Sequence, residues 1–257
     1  MPDAMKAPVS RASTPPRKPA KTTIAKKPAV AVRPGRRPAK EPFADKAYRE
    51  LRARILDNSM PSGEQYTEEE LAAMLQMSRT PTREAMLRLA GEGLVEVRPR
   101  HGMRIKPVSQ VDMREIYEVL TALESTAAAL AAVRSDQGDS VALLRASIRD
   151  MDAALERDDL AAWATADERF HTLLVEAAGN SRLTELVQTY VGQSHRVRML
   201  TLRLRPKPVM SNRDHEAVVD AVAAHDARRA RELHFAHREQ SGRMLVELLA
   251  SHGLTRL

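Results

Sequence analysis

The chain contains no cysteine. Disulfide frameworks and cysteine-ligated zinc sites are therefore excluded, and any metal site must be built from nitrogen and oxygen donors. A long apolar run is also missing. The longest near-continuous one, TAAALAAV at 126–133, falls far short of the ~20 helical residues that span a bilayer. No apolar signal-peptide segment stands near the N-terminus, so the expectation is a soluble, cytoplasmic protein with no membrane partner. Gly-rich phosphate loops, a nucleophile elbow and the His-Glu-x-x-His order of zinc proteases are absent as well. Beyond residue 107 no segment reads as a strand.

The basic excess is confined to one end. Residues 1–42 hold 11 Lys/Arg against two acids, and nine of the 15 prolines, whereas the other 215 residues carry 30 basic and 32 acidic groups. The net charge of +7 thus belongs to the N-terminal segment. PPRKPAKTTIAKKPAVAVRPGRRPAKEP shows no periodicity and too little bulky apolar surface to offset its ordering entropy. It reads as a disordered basic, Pro-rich tail over 1–42. Such a tail is either an arm that adds sequence-independent attraction to DNA or a solubilising extension. A transit peptide fits less well, because the prolines break an amphipathic helix.

After Pro42 the pattern becomes helical. FADKAYRELRARILDN (43–58) places Ala47, Leu51, Ile55 and Leu56 on one stripe, and MPSG ends it. In TEEELAAML (67–75), Thr67 and Glu70 form a capping box ahead of Leu71, Met74 and Leu75. RTPTREAMLRLAGEG follows; Thr80 with Pro81 suits its N-terminus, and Ser78 is the alternative cap. LVEVRPRHGMRIKP (94–107) alternates around a turn containing Gly102, a β-hairpin signal. Three helices and a hairpin make a winged helix-turn-helix over 43–107, whose second motif helix would lie in a DNA major groove. Seven basic and three acidic residues fall between Arg79 and Lys106. The expected DNA contacts are Arg79, Thr80, Thr82, Arg83 and Arg88 from the helix and Arg98, Arg100, His101 and Gly102 from the wing.

The stretch MPSGEQYTEEELAAMLQMSRTPTREAMLRLAGEGLVEVRPRHGMRI, and SRTPTREAMLRLAGEGLV above all, resembles the DNA-binding domain of GntR-family bacterial transcription regulators. That resemblance covers residues 60 to 105, so the rest of the chain is read separately.

Residues 108–257 read as six helices with short connections, an all-α antiparallel bundle. The segments are 112–135 (with Ile116, Val119, Leu120, Leu123 and Ala127 on one side), 140–157, 159–180, 181–205, 211–226 and 227–253. The fold class is therefore mainly α, with one small hairpin in the N-terminal domain. Seven of the eight histidines lie at or beyond position 171. Asp167 and His171 stand one turn apart on the face of Trp163 and Leu174; His215 shares a side with Val218, Val219 and Val222. His237 lines up with Leu233, Met244 and Leu248, and His234 with Arg231 and Arg238 on a wetter side. Four inward nitrogen and oxygen donors can make a divalent-metal cluster; an Asp–His pair at i,i+4 can equally be an ordinary salt-bridged helix face.

The D-x-x-x-H … H … H arrangement, set in DERFHTLLVEAAGN and DHEAVVDAVAAHDARRARELHFAHR, resembles the metal site of the FCD ligand-binding domain in the FadR-type branch of GntR regulators. Carried over, the resemblance implies that Asp167, His171, His215 and His237 bind one divalent ion per subunit, zinc foremost, with nickel, manganese and iron admissible. It also implies a homodimer, a near-palindromic double-stranded DNA operator and repression controlled by a small-molecule effector. Many members carry Arg where YEVLTALE has Leu120, and that Arg is expected to meet an effector carboxylate. Arg196 and Arg198 are the substitutes expected to bind the effector, an organic acid. Two rival readings are an effector-independent DNA-binding protein with a structural bundle and a metal-dependent hydrolase. For the hydrolase, Glu168 points about 100° away from Asp167 around the helix, so no general base accompanies the cluster.

Overall fold

The computed structural model describes residues 41–134 and 138–254. Apart from its last two residues, the basic tail expected over 1–42 lies outside the described residues. Helix α1 (Phe43–Leu56) buries Ala47, Leu51, Ile55 and Leu56, as its spacing predicts. Helix α2 (Glu68–Leu75) opens on the expected capping box. Thr67 Oγ1 accepts from Glu70 N at 3.2 Å, and Glu70 Oε2 accepts from Thr67 N at 2.8 Å. Helix α3 (Arg79–Gly91) starts with Ser78, not Thr80, at its N-cap. Pro81 then sits in the first turn, where its missing N–H removes no helical bond. Leu51, Ile55, Leu71, Met86, Leu89 and Met103 close a core beneath these helices.

The wing is a sheet of three strands rather than a hairpin of two. Strand β1 (Gln65–Tyr66) pairs with β3 (Gly102–Ile105), which also pairs with β2 (Val95–Arg98), in the order β1-β3-β2. Gln65 faces Arg104 and Tyr66 faces Met103. Two residues are too few for alternation to register in the sequence. Gly102 makes this pairing possible: its φ is +79°, and a Cβ there would collide with the Tyr66 carbonyl oxygen and the Thr67 backbone.

The bundle comprises α4 (Gln110–Val133), α5 (Gly138–Glu156), α6 (Leu160–Ala177), α7 (Ser181–Leu200), α8 (Val209–Ala223) and α9 (Ala227–Ser251). A second capping box, Ser109 with Asp112, starts α4. Asp159, Asn180 and Asp226 cap α6, α7 and α9 through side-chain oxygens. The helix expected over 181–205 ends at Leu200, and a 3-10 turn (Leu202–Leu204) leads on toward Pro206. By length and composition α4 is apolar enough to cross a membrane, which a count of uninterrupted apolar residues misses. Here it is a core helix packed against α6, α7, α8 and α9, and it carries the fully buried Glu124. Val119, expected on its inward stripe, is 37% exposed.

The bundle has two apolar clusters. One gathers Leu144, Met151, Trp163, Phe170 and Val218; the other gathers Leu120, Val197, Leu245 and Leu249. The inward face of α9 is Ala230, His234, His237, Arg238, Gly242, Leu245 and Leu249. It is rotated from the expected stripe, leaving Met244 36% exposed and bringing His234 fully inside.

Replacing Gly102 by Ala is expected to disrupt the β1–β3 pairing. The strained φ alone costs ~1–3 kcal/mol, and the collision adds to it. Urea unfolding measures this; a Gly102→Ala protein of unchanged midpoint contradicts the account.

Candidate metal centre and DNA-contact face

Asp167 and His171 lie one turn apart on α6, both almost fully buried. His215 enters from α8 and His237 from α9, so helices far apart in sequence bring the expected set of four together. One donor atom each from His171, His215 and His237 lies within 4.8 Å of the others. His215 Nε2 is 3.1 Å from His237 Nε2. Asp167 Oδ1 is 3.8 Å from both His171 Nε2 and His215 Nε2. Metal–nitrogen bonds of ~2.0–2.1 Å place neighbouring ligand atoms roughly 3–3.4 Å apart, so small side-chain rotations close this set around one ion.

The outer ring nitrogens also fit that chemistry. His171 Nδ1 faces Glu124 Oε2 at 3.0 Å, and His237 Nδ1 faces Asp214 Oδ2 at 3.3 Å. Carboxylates behind imidazoles fix the tautomer that turns Nε2 inward. His215 is held differently, by stacking on Phe170 with ring centroids 4.2 Å apart. Burial pushes the His171 and His215 pKa values well below the usual range, so both rings stay neutral as ligands must be. Burial alone would raise the Asp167 carboxyl, but Arg198, 3.0 Å away, outweighs it and lowers the group's pKa.

Two participants escaped the sequence reading. Glu124, with no exposed surface, is joined by Arg238 through both guanidinium Nε (2.8 Å) and a terminal nitrogen, and by His234 at 3.1 Å. Burial raises its pKa, yet Arg238 more than compensates and holds it well below the carboxylate range. Glu124, His171 and His234 form a second close group, but Arg238 already neutralises the carboxylate and disfavours a cation there. The one available signal was a Glu on the apolar stripe of α4, and nothing local names its partner 114 residues away.

The two arginines proposed for an effector separate. Arg198 lines a cavity of about 280 Å³ that opens onto the histidine cluster. Arg196 does not line it; its guanidinium donates to the Lys106 carbonyl oxygen at 3.0 Å, at the junction with the winged domain. Two positions along a helix turn a side chain about 200°, enough to send the two arginines to different sites.

The DNA-contact residues also sort by geometry. Arg79, Thr80 and Arg83 are exposed at the start of α3, and Arg79, Arg83, Arg98, Arg100 and Gly102 line one groove between that helix and the wing. His101 is exposed at the wing tip. Thr82 is completely buried, and its hydroxyl donates to the Ser78 carbonyl at 3.0 Å, so it packs rather than reads bases. Arg88 faces α1, pairing with Asp45 at 2.6 Å and lying over the Tyr48 ring at 3.9 Å. Gly102 is architectural, for the reason given above.

Residues 43–105 match the family described as bacterial regulatory proteins, gntR family, and residues 115–240 match the FCD domain. An HTH-type transcriptional regulator in the TAR-I ttuE-ttuC' intergenic region of Agrobacterium vitis is 49% identical over 134 residues, spanning 51% of this chain and 78% of that protein. The chain is a GntR-family transcriptional regulator with an FCD domain. A second relative of this regulator, the HTH-type transcriptional repressor RspR of Escherichia coli K12, is 26% identical over 186 residues, 72% of this chain and 81% of that one. The fold also matches E. coli McbR/YncC with a TM-score of 0.70 at 19% identity, covering 81% of this chain and 99% of the other. The family and the two sequence relatives are transcription regulators, not enzymes, and the hydrolase reading is set aside.

The GntR regulator should be acid-labile in metal-free solution containing a chelator. Burial lowers the proton affinity of His171, His215 and His234, the last to about 4. The unfolded chain then takes up protons that the folded chain refuses. Stability from these groups is complete above about pH 6.5 and is lost as pH falls toward 4. Glu124 and Asp167, also lowered, act in the same direction at still lower pH. Thermal melts at pH 7.5 and 5 should differ by on the order of 5–10 °C; equal midpoints contradict the burial of neutral imidazoles.

Proposed function

We propose that the protein is a cytoplasmic repressor that binds DNA as a homodimer and is controlled by a small organic acid held at a divalent metal in its FCD domain. The observation that carries this reading is the convergence of Asp167, His171, His215 and His237, the first two and the last of which line a cavity that Arg198 also lines. Three imidazoles and one carboxylate close a tetrahedral shell but leave two positions in an octahedral one, where an effector can ligate. Zinc is the leading candidate, and the donor set also suits nickel, manganese or iron. The RspR relative supports repression as the sense of the output.

Helix α7 supplies the route from site to DNA. At one end Arg198 holds Asp167. Nearer its middle, Gly192 packs against side chains of Arg52, Leu56 and Leu94; Gln193 Nε2 donates to the Glu92 carbonyl at 2.9 Å, and Arg196 reaches Lys106. An effector that draws Asp167 or Arg198 into new contacts changes the seating of α7, and with it the grip on the winged domain. It shifts operator affinity to the extent that it binds one arrangement better. In the homodimer, two α3 helices would meet two half-sites of a near-palindromic operator. Residues 1–42 would add non-specific attraction to the backbone.

Metal analysis of untagged protein, purified without added metal, tests the reading. Wild type should carry about one ion per chain, and Ala at Asp167, His171, His215 or His237 should each lower occupancy ten- to a hundredfold in affinity or more. Unaltered metal content in all four variants would falsify the site. On the DNA side, Arg79→Ala and Arg83→Ala should each cost ~1–3 kcal/mol at the operator and relax base preference, whereas Arg88→Ala should leave preference intact. Gel-shift titrations against operator libraries decide this; a uniform loss without altered preference would reassign Arg79 or Arg83 to phosphate.

A further inference from the structure

The cavity beside the histidine cluster has four cationic side chains in its wall: Arg198, Arg205, Lys207 and Arg238. Three already have a carboxylate. Arg198 pairs with Asp167 at 3.0 Å, Lys207 with Asp158 at 3.0 Å, and Arg238 with Glu124. Arg205 has no carboxylate partner among the described residues. One terminal nitrogen donates to two neutral acceptors, the Arg198 carbonyl and Thr201 Oγ1, and its Nε is buried without a hydrogen-bond partner. A half-buried guanidinium met only by neutral acceptors on a cavity wall is a receptive partner for an anion. Burial first, and Arg198 nearby, pull its pKa down to about 10, which still leaves it charged at neutral pH.

No cation reaches this space from position 120 of α4, because Leu120 is fully buried in an apolar cluster. The rest of the wall is mixed. Trp163, Leu202 and Met244 offer apolar surface for a short carbon chain, and Gln240 and Ser241 offer hydrogen bonds. A single carboxylate at the histidine cluster would leave Arg205 as it stands. A ligand with a carboxylate at each end satisfies both.

Building on the metal-borne effector reading, we propose that Arg205 is the second anchor of the effector, and that the effector is therefore a small dicarboxylate. One carboxylate joins the histidine cluster; the other pairs with the Arg205 guanidinium where it lines the cavity. Arg205 sits between the 3-10 turn and Pro206, on the connector from α7 to α8. A ligand held there ties that connector to the helices that carry His171, His215 and His237.

Calorimetric titration of the full-length, metal-loaded protein with matched acids tests this. Malate is compared with lactate, and 2-oxoglutarate with pyruvate; each pair shares a metal-chelating head and differs in the second carboxylate. Wild type should bind the dicarboxylate of at least one pair about ten- to a hundredfold more tightly. Arg205→Ala should abolish that difference while leaving metal content, unliganded Tm and monocarboxylate binding as in wild type. Arg205→Lys should retain part of it, and it decides the matter if the Ala variant melts early. A preference that survives in Arg205→Ala, or no preference in wild type for either pair, overturns the assignment. Monocarboxylate binding that needs the metal would then still uphold the broader reading. Wild-type protein that takes up no metal overturns both.

Discussion

A single buried carboxylate sets the terms for the bundle. Glu124 has no exposed surface, so its charge must be met inside the protein. Arg238 from α9 grips it with two nitrogens, and His171 from α6 and His234 from α9 take up Oε2 at 3.0 and 3.1 Å. Helix α9 is thereby tied to α4 by directional bonds and α6 by a close polar contact, where packing alone would tolerate sliding. The cost of this arrangement is that no member can be lost singly, since each would leave a buried group unmet. Its benefit lies at the neighbouring site. With Nδ1 of His171 turned toward Glu124, Nε2 is left facing Asp167 and the other two imidazoles.

The same logic of committed charges extends along α7. Arg198 is fully engaged by Asp167, and burial would lower its pKa were that carboxylate not beside it. Two residues earlier, Arg196 is spent on the Lys106 carbonyl, where the winged domain passes into α4. Adjacent turns of one helix thus hold the cavity and the DNA-binding unit. Gly192 lets α7 approach closely enough to touch α1, because a Cβ there would press on Arg52 at 3.1 Å. A rigid rod with one grip at each of two sites is a physical connection between them, and coupling requires that the rod have two seatings.

Much of this was legible in the sequence because the relevant signals are local. The capping box at Thr67, the stripe Ala47–Leu51–Ile55–Leu56 and the Asp167–His171 spacing all depend on neighbours within one or two turns. What escaped depends on partners distant in the chain. Strand β1 is two residues long and exists because β3 offers it an edge. Glu124 and Arg238 each look like one more charge on a helix until α4 and α9 are laid side by side. His234 was read as solvent-facing because arginines share its side, yet Arg238 on that side is itself buried. Charged residues mark the outside of a helix only when nothing opposite can neutralise them. Thr82 differs from expectation for a related reason: it lies on the face of α3 that its own domain covers, whereas Arg88 stays exposed but leans on Asp45 and Tyr48 of α1.

The charge balance around the cavity separates a structural site from a receptive one. At the histidine cluster burial keeps His171 and His215 neutral, and the one carboxylate, Asp167, is already matched by Arg198. A divalent cation bound there would share Asp167 with that arginine, so the cluster would carry more positive charge than its protein ligands cancel. Arg205 lies on the same cavity with neutral acceptors alone. A purely structural bundle gains nothing from leaving a guanidinium in that condition, since an aliphatic residue would fill the space without the desolvation cost. The uncompensated charge makes sense if an anion completes it, and under the proposed function the completed state would differ from the empty one in the seating of α7 and of the connector to α8. Binding energy spent on that difference is what operator affinity can register.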